Sequence, residues 1–289
     1  MHRKGSLGEK REANTEIHPM RRVIHDMLYA AAAVALLSGC ITLDGTRSLN
    51  LLSTQEEVAI GREISNEIEA KEKVLDDPAL QQYLNEIGQR LVAGVERRDV
   101  EYRFKVIDAP ETINAFALPG GFMYVYTGLM KFCDNEAELA SVMAHEIAHV
   151  SAHHHGEALT RAYGIQLLSS IILGSNQAQA ARIAGEFIAG MGMLYFSRQN
   201  EYEADAKGME YLARTGYQPG AMVSFMQKLA QAEQGGGGAR RITLFATHPP
   251  ISERIARLAV LEQQYPADLR LSGPVYADRF HERAISRIQ

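Results

Sequence analysis

Residues 145–149 read HEIAH, inside the stretch SVMAHEIAHVSAHHH, which holds five of the chain's ten histidines. An α-helix turns about 100° per residue, so two histidines at i and i+4 share one face. Imidazoles placed that way bind one Zn²⁺ at about 2.0–2.1 Å each and leave positions for a third ligand and a water. The metal lowers the pKa of that water towards neutrality. A carboxylate beside it, here Glu146, takes the proton and later passes it to a leaving amine. HEIAH therefore has the H-E-x-x-H pattern of a zinc metallopeptidase helix, and Val142, Met143, Ile147 and Val150 give that helix an apolar side to pack.

A third ligand is required. His153 and His155 are the nearest histidines, but they follow the expected helix core beside His154 and Gly156 and read as a surface tail at a helix C-terminus, where imidazoles suit the macrodipole. His155 stands where the longer metzincin pattern has its third histidine, yet that pattern needs glycine three residues earlier and Ala152 stands there. A better source is SRQNEYEADAKGMEYLA, 197–213. Glu203 with Lys207 and Glu210 with Arg214 read as solvated i,i+4 pairs. Glu201 and Asp205 share that spacing with like charges, which repel unless a cation lies against the face. Glu201 is then the expected third ligand and Asp205 the acceptor for the free N–H of a ligating histidine. In THPPISERIARL, 247–258, His248 is fixed before a helix start by two prolines. It either blocks the open metal position at rest or stabilises a tetrahedral oxyanion, a role open also to Arg254 about two turns on.

These residues need elements to hold them. Residues 53–71 and 76–94 read as helices, the second with Leu80, Leu84, Ile87 and Leu91 at helical spacing. YRFKVID at 102–108 and GFMYVYTG at 121–128 alternate as strands do, with a Pro-Gly-Gly turn signal between them. Asp134 or Asn135 caps the HEIAH helix, with Glu138 in capping-box spacing. Helices are expected at 156–172, 178–195, 197–214, 219–233 and 250–264. GGGG at 235–238 is a flexible loop with no Lys-Ser/Thr after it, so it is not a phosphate cradle. The fold class is α+β: mostly helical, with a small sheet.

The chain has 289 residues, 46% hydrophobic and 22% charged, with a formal net charge of −5, which gives no footprint for nucleic acid. Its two cysteines form no disulfide framework; Cys133 reads as a small buried apolar side chain. Residues 20–40, MRRVIHDMLYAAAAVALLSGC, carry a basic start, an apolar run too short to span a bilayer and a small-residue cleavage site. Residues 1–39 are thus expected to be a signal peptide that starts at Met20, with lipidation at Cys40. A tether at 40–53, a catalytic domain at 54–264 and a segment without an assigned role at 265–289 complete the organisation. Residues 165–196 are interrupted by Gln177, Gln179, Arg182 and Glu186 and read as two helices rather than a membrane span.

Taken together, DPALQQYLNEIGQRL, INAFALPGGFMYVYTGLM, ELASVMAHEIAHVSAHH, SRQNEYEADAKG and THPPISERIARL resemble, in order and spacing, the HtpX/CAAX-protease-like zinc metallopeptidases (metallopeptidase family forty-eight, gluzincin type), in the soluble periplasmic branch. The resemblance spans about residues 54–264. It implies one zinc held by His145, His149 and Glu201, Glu146 as general base, and Asp205 behind the ligands with His145 as its partner. It implies that His248 and Arg254 approach the metal. It also implies that NAFALPGG and the following strand form a sheet edge to which an extended peptide adds as a further strand, with Asn114, Ala115, Phe116 and Ala117 lining the groove. Substrates would be unfolded or misassembled envelope polypeptides. By family analogy, Ile41 after the lipidated cysteine favours the outer membrane. Multiple membrane helices, as in the membrane branch, and a repeat domain after the peptidase are not expected. The alternatives to a peptidase are a chaperone or assembly factor using the same groove, and a histidine-rich metal store. Neither needs a base beside the metal, so Glu146 favours the peptidase.

Overall fold

Ser53 begins the first helix through a reciprocal cap: its hydroxyl accepts the Glu56 N–H and the Glu56 carboxylate accepts the Ser53 N–H at 2.8 Å. In the computed structural model that helix, α1, runs Thr54–Lys71, and α2 runs Pro78–Val92 behind an Asp77 cap. The described residues are 50–189, 196–234, 241–244 and 251–288. The expected signal peptide, Cys40, the tetraglycine loop and His248 lie outside them.

Strands β1 (Arg103–Ile107), β2 (Thr112–Ile113), β3 (Ala115–Ala117) and β4 (Phe122–Tyr126) follow. The larger sheet has the order β1-β4-β3, β4 lying parallel to β1 and antiparallel to β3. The strand after NAFALPGG is therefore central, and of these two strands β3 alone lies at an edge, a correction to the expected two-strand edge. The turn from β3 to β4 needs its glycines. Gly120 and Gly121 have φ of 76° and 94°, and a Cβ on Gly121 would lie 2.6 Å from the Glu101 carbonyl oxygen.

Both faces of the sheet are covered. Val106, Met123, Val125, Ala115 and Ala117 pack in one core with α2 and with the helices that follow. Phe116, Tyr124 and Tyr126 pack in another with Ile60, Ile64 and Ile68 of α1. After β4 come α3 (Thr127–Phe132), α4 (Glu136–Ser151), α5 (His154–Ile172) and α6 (Gln177–Ala189). Next are α7 (Arg198–Arg214), α8 (Gly220–Gln234), β5 (Arg241–Ile242), α9 (Ile251–Glu262), α10 (Ala267–Ser272) and α11 (Ala277–Arg283). This is the expected α+β class. Among the described residues no helix is long and apolar enough to cross a membrane.

The segment after 264 belongs to the packed body. Phe280 and Ala284 are buried, and Arg279 pairs with Glu136, the first residue of α4. Tyr83 and Tyr217 donate to the same carboxylate at 2.5 and 2.6 Å. The helix that carries HEIAH is thus anchored at its start by α2, by the loop after α7 and by α11. Asn135 is the cap of α4, while the Glu138 carboxylate accepts from Asp134 N–H and pairs with Lys228.

The histidine tail departs from expectation. His153 takes a left-handed conformation, φ 61°, which ends one helix and starts the next. Its Nδ1 lies 3.0 Å from Glu57 Oε1, and Glu57 is paired with Arg97 at 2.6 Å, both buried. The chain turns inward, so His154 and His155 are each 2% exposed and pack beside α4 instead of fraying into solvent. Histidine is among the residues that tolerate this conformation, but the sequence carries no glycine or proline to announce it.

Candidate metal centre

α4 is buried from Glu136 to Val150, and α7 crosses it closely. Gly208 permits that approach, since a Cβ there would stand 3.1 Å from the His145 backbone nitrogen. The crossing brings Glu201 to the two histidines. His145 Nε2 and His149 Nε2 are 3.1 Å apart. Glu201 Oε1 is 3.4 Å from His149 Nε2, and its Oε2 is 3.7 Å from His145 Nε2. One donor atom from each of the three lies within 4.8 Å of the others, and this is the group among the described residues with that property.

Asp205, one turn beyond Glu201, places Oδ1 3.0 Å from His145 Nδ1. Arg254 of α9 binds Asp205 twice, Nε to Oδ2 at 2.8 Å and Nη2 to Oδ1 at 2.6 Å, and sets Nη1 2.8 Å from Glu201 Oε2. Burial pushes the Asp205 carboxyl up, but Arg254 and His145 outweigh it and hold Asp205 below the usual carboxylate range. Burial also opposes the charge on Arg254, and Asp205 with Glu201 keeps it fully charged. Burial first, then the neighbouring His145 and His154, outweigh Glu201 and hold the His149 imidazole well below the usual histidine range.

Among the described residues, Glu146, Glu201 and Asp205 are at most 3% exposed and gather round the Arg254 guanidinium. Buried charges are costly unless paired or bound to a metal. Two imidazole nitrogens and a carboxylate within reach of one another suit a divalent ion of zinc's chemistry.

Glu146 Oε2 accepts the Ala117 N–H at 3.0 Å, which ties the expected base to the edge strand. Leu118 N–H donates to Phe122 and Asn114 C=O accepts from Tyr126, so even-numbered residues turn their main chain towards β4. Ala115 and Ala117 turn theirs outward. The same edge is already taken further back: Arg241 N–H donates to Glu111 C=O at 2.8 Å and Thr243 N–H to Ile113 C=O at 3.2 Å. Of the four residues expected to line a groove, Phe116 directs its ring into the other core, 5.3 Å from Tyr124. Asn114, Ala115 and Ala117 are likewise buried, at 3%, 2% and 0% exposed, and the Ala117 N–H is already held by Glu146.

Several contributors were not apparent in the sequence. A small apolar cleft of about 30 Å³ lies beside His145 and Glu146, lined by Val142, Met222, Phe225, Met226 and Leu229. Phe196 stacks on His149, ring centres 4.0 Å apart. His154 Nδ1 lies 3.0 Å from His149 Nδ1, and Glu203 lies 3.6 Å from His154 Nε2. Glu203 therefore does not serve Lys207, which reaches Glu96 instead at 3.9 Å. The Glu210–Arg214 pair forms as expected, at 2.5 Å.

Residues 78–262, more than half of the chain, match Peptidase family M48. The chain belongs to peptidase family M48. This M48 chain is 36% identical over 222 residues to the Beta-barrel assembly-enhancing protease of Escherichia coli (strain K12), covering 73% of this chain and 45% of the relative. It is 35% identical over 221 residues to the protein of that name in Yersinia pestis, covering 73% and 45%. It is 29% identical over 177 residues to the Mitochondrial metalloendopeptidase OMA1 of Schizosaccharomyces pombe, covering 61% and 51%. The chain spans about half the length of the curated relatives it matches. Membership makes the M48 chain a metallopeptidase by class, and the His145–His149–Glu201 cluster lies inside the matched region.

Proposed function

We propose that this M48 chain is a zinc-dependent endopeptidase that hydrolyses peptide bonds of unfolded or misassembled cell-envelope proteins. The observation that carries the reading is the buried trio His145, His149 and Glu201 with Glu146 beside it. Zinc held by the trio supplies Lewis-acid polarisation of the scissile carbonyl and acidifies the attacking water. Glu146 takes the proton from that water and delivers it to the leaving amine. Asp205 holds the His145 ring, and Arg254 holds Asp205 and Glu201. An extended peptide adds as a further strand beside Asn114–Ala117, and the apolar cleft takes a side chain next to the scissile bond.

His248 completes the site, as a resting-state plug or as an oxyanion donor. Proteolysis by His248→Ala rises in the first case and falls in the second. Lipidation at Cys40 anchors the protein to the periplasmic side of the cell envelope, at the outer membrane. A second reading, an assembly factor that holds outer-membrane proteins in the same groove, draws on the names of the enterobacterial relatives and is compatible with proteolysis.

The direct test is metal analysis of the purified protein with casein hydrolysis measured before and after chelation. One zinc per chain, and activity lost on chelation and restored by zinc, is the expected result. Full hydrolysis by zinc-free protein would sink the proposal.

A further inference from the structure

Both histidines of the trio keep their second ring nitrogen on a partner, and the two partners differ in kind. His145 Nδ1 meets a carboxylate, Asp205, directly. His149 Nδ1 meets another imidazole, His154 Nδ1, at 3.0 Å, with the ring planes 71° apart. His154 is 2% exposed, and its Nε2 faces Glu203 Oε2 at 3.6 Å. Glu201, Glu203 and Asp205 lie on the same helix: one offers its carboxylate to the trio, one backs His145 and one stands behind His154.

Proton counting gives this chain a direction. Two imidazole nitrogens 3.0 Å apart need one proton between them. A carboxylate such as Glu203 accepts and does not donate, so it favours the His154 tautomer with its proton on Nε2 and leaves Nδ1 as an acceptor. His149 then carries its proton on Nδ1 and donates it to His154. Its Nε2, turned to Glu201 and His145, is left with a lone pair. The reverse arrangement would protonate His149 Nε2 and disable it as a ligand. Phe196, stacked on the His149 ring, holds the plane of the same side chain.

Given the zinc reading of the site, on which this rests, we propose that His154, backed by Glu203, is a positioning residue that fixes the tautomer and ring plane of His149 for metal binding. The left-handed turn at His153 is what delivers it: a straight continuation of α4 would carry residue 154 away from His149.

The test is the zinc Kd of the metal-free full chain, measured by competition with a chromogenic chelator. The chains compared are wild type, His154→Leu, His154→Asn, Glu203→Gln and His149→Ala. Loss of an outer partner of a ligating histidine lowers metal affinity by about 10- to 100-fold, the change expected for His154→Leu. His154→Asn places an amide oxygen near the lost Nδ1 and restores affinity to within a few-fold of wild type. Glu203→Gln weakens zinc several-fold. A purely packing role would weaken the Leu and Asn variants alike, and that result overturns the proposal, as does wild-type affinity in folded His154→Leu. If His154→Leu does not fold, Glu203→Gln decides: several-fold weakening supports the proposal and an unchanged Kd ends it. His149→Ala separates the two levels. If it binds zinc like wild type, the ligand assignment itself fails; if it loses zinc while His154→Leu does not, only the role of His154 fails.

Discussion

Arg254 and Asp205 form a two-pronged ion pair, at 2.8 and 2.6 Å, with each partner about 3% exposed. The remaining terminal nitrogen of the guanidinium reaches Glu201. These contacts fit a clamp on the ligand shell better than the oxyanion donor considered from the sequence. Removing one partner of a buried pair costs about 3–5 kcal/mol. Arg254→Ala is therefore expected to lower the melting temperature of the metal-free protein sharply. It should also loosen Glu201 and Asp205, so the rise in melting temperature on adding zinc should be smaller in the variant than in wild type. Equal rises would refute the clamp.

Glu146→Gln is nearly isosteric and keeps an acceptor for the Ala117 N–H. The variant should fold, hold zinc with near wild-type affinity and lose casein hydrolysis by about 10²- to 10⁴-fold, the contribution typical of a positioned base. Wild-type turnover by a zinc-loaded variant would remove Glu146 from its role.

Much of this site could be read from the chain, for reasons tied to particular residues. His145, Glu146 and His149 declare themselves because helical spacing alone puts them together. Glu201 and Asp205 stand out because like charges at i,i+4 need an explanation. His154 could not be read: its inward position follows from one left-handed residue, His153, stabilised by Glu57 nearly a hundred positions earlier. Glu203 was misread for the same kind of reason, since a local partner, Lys207, was available and the distant one won. The small sheet was legible as two alternating runs, but its strand order depends on long-range pairing.

The Glu57 carboxyl supplies the pH-dependent stability of that turn. Burial pushes it up, but His153 and Arg97 outweigh burial and hold it below the usual range. A depressed carboxylate contributes stability above its unfolded pKa, and that stability is lost as pH falls through the folded value. Urea unfolding of the metal-free protein should therefore show a decline beginning below about pH 4.5. Glu57→Gln should be less stable at pH 7 by about 1.5–3 kcal/mol, the worth of hydrogen bonds to a charged group. Its decline between pH 5 and 3 should be shallower. Identical acid limbs would exclude Glu57 as their source.

The cleft beside Glu146 should favour Leu, Met or Phe next to the cleaved bond. Peptide libraries should show this preference, and Met226→Lys should reduce cleavage of such peptides by about 10- to 200-fold, the range for changes in an apolar pocket. A library cleaved without regard to neighbouring side chains would count against it.

Cys40→Ala should move the protein from the membrane fraction to the soluble one. Fractionation like wild type would rule out a lipid anchor at that residue.

On the proposed reading, the stretch bound from Glu111 to Ile113 and the Ala117 N–H held by Glu146 leave little backbone of β3, among the described residues, for a polypeptide to pair with. So short a ladder grips weakly, and it asks that the visitor arrive already extended over a few residues. Discrimination between native and damaged clients would then rest less on recognising any feature than on the foldedness of the client itself: a well-packed domain has no such ribbon to offer.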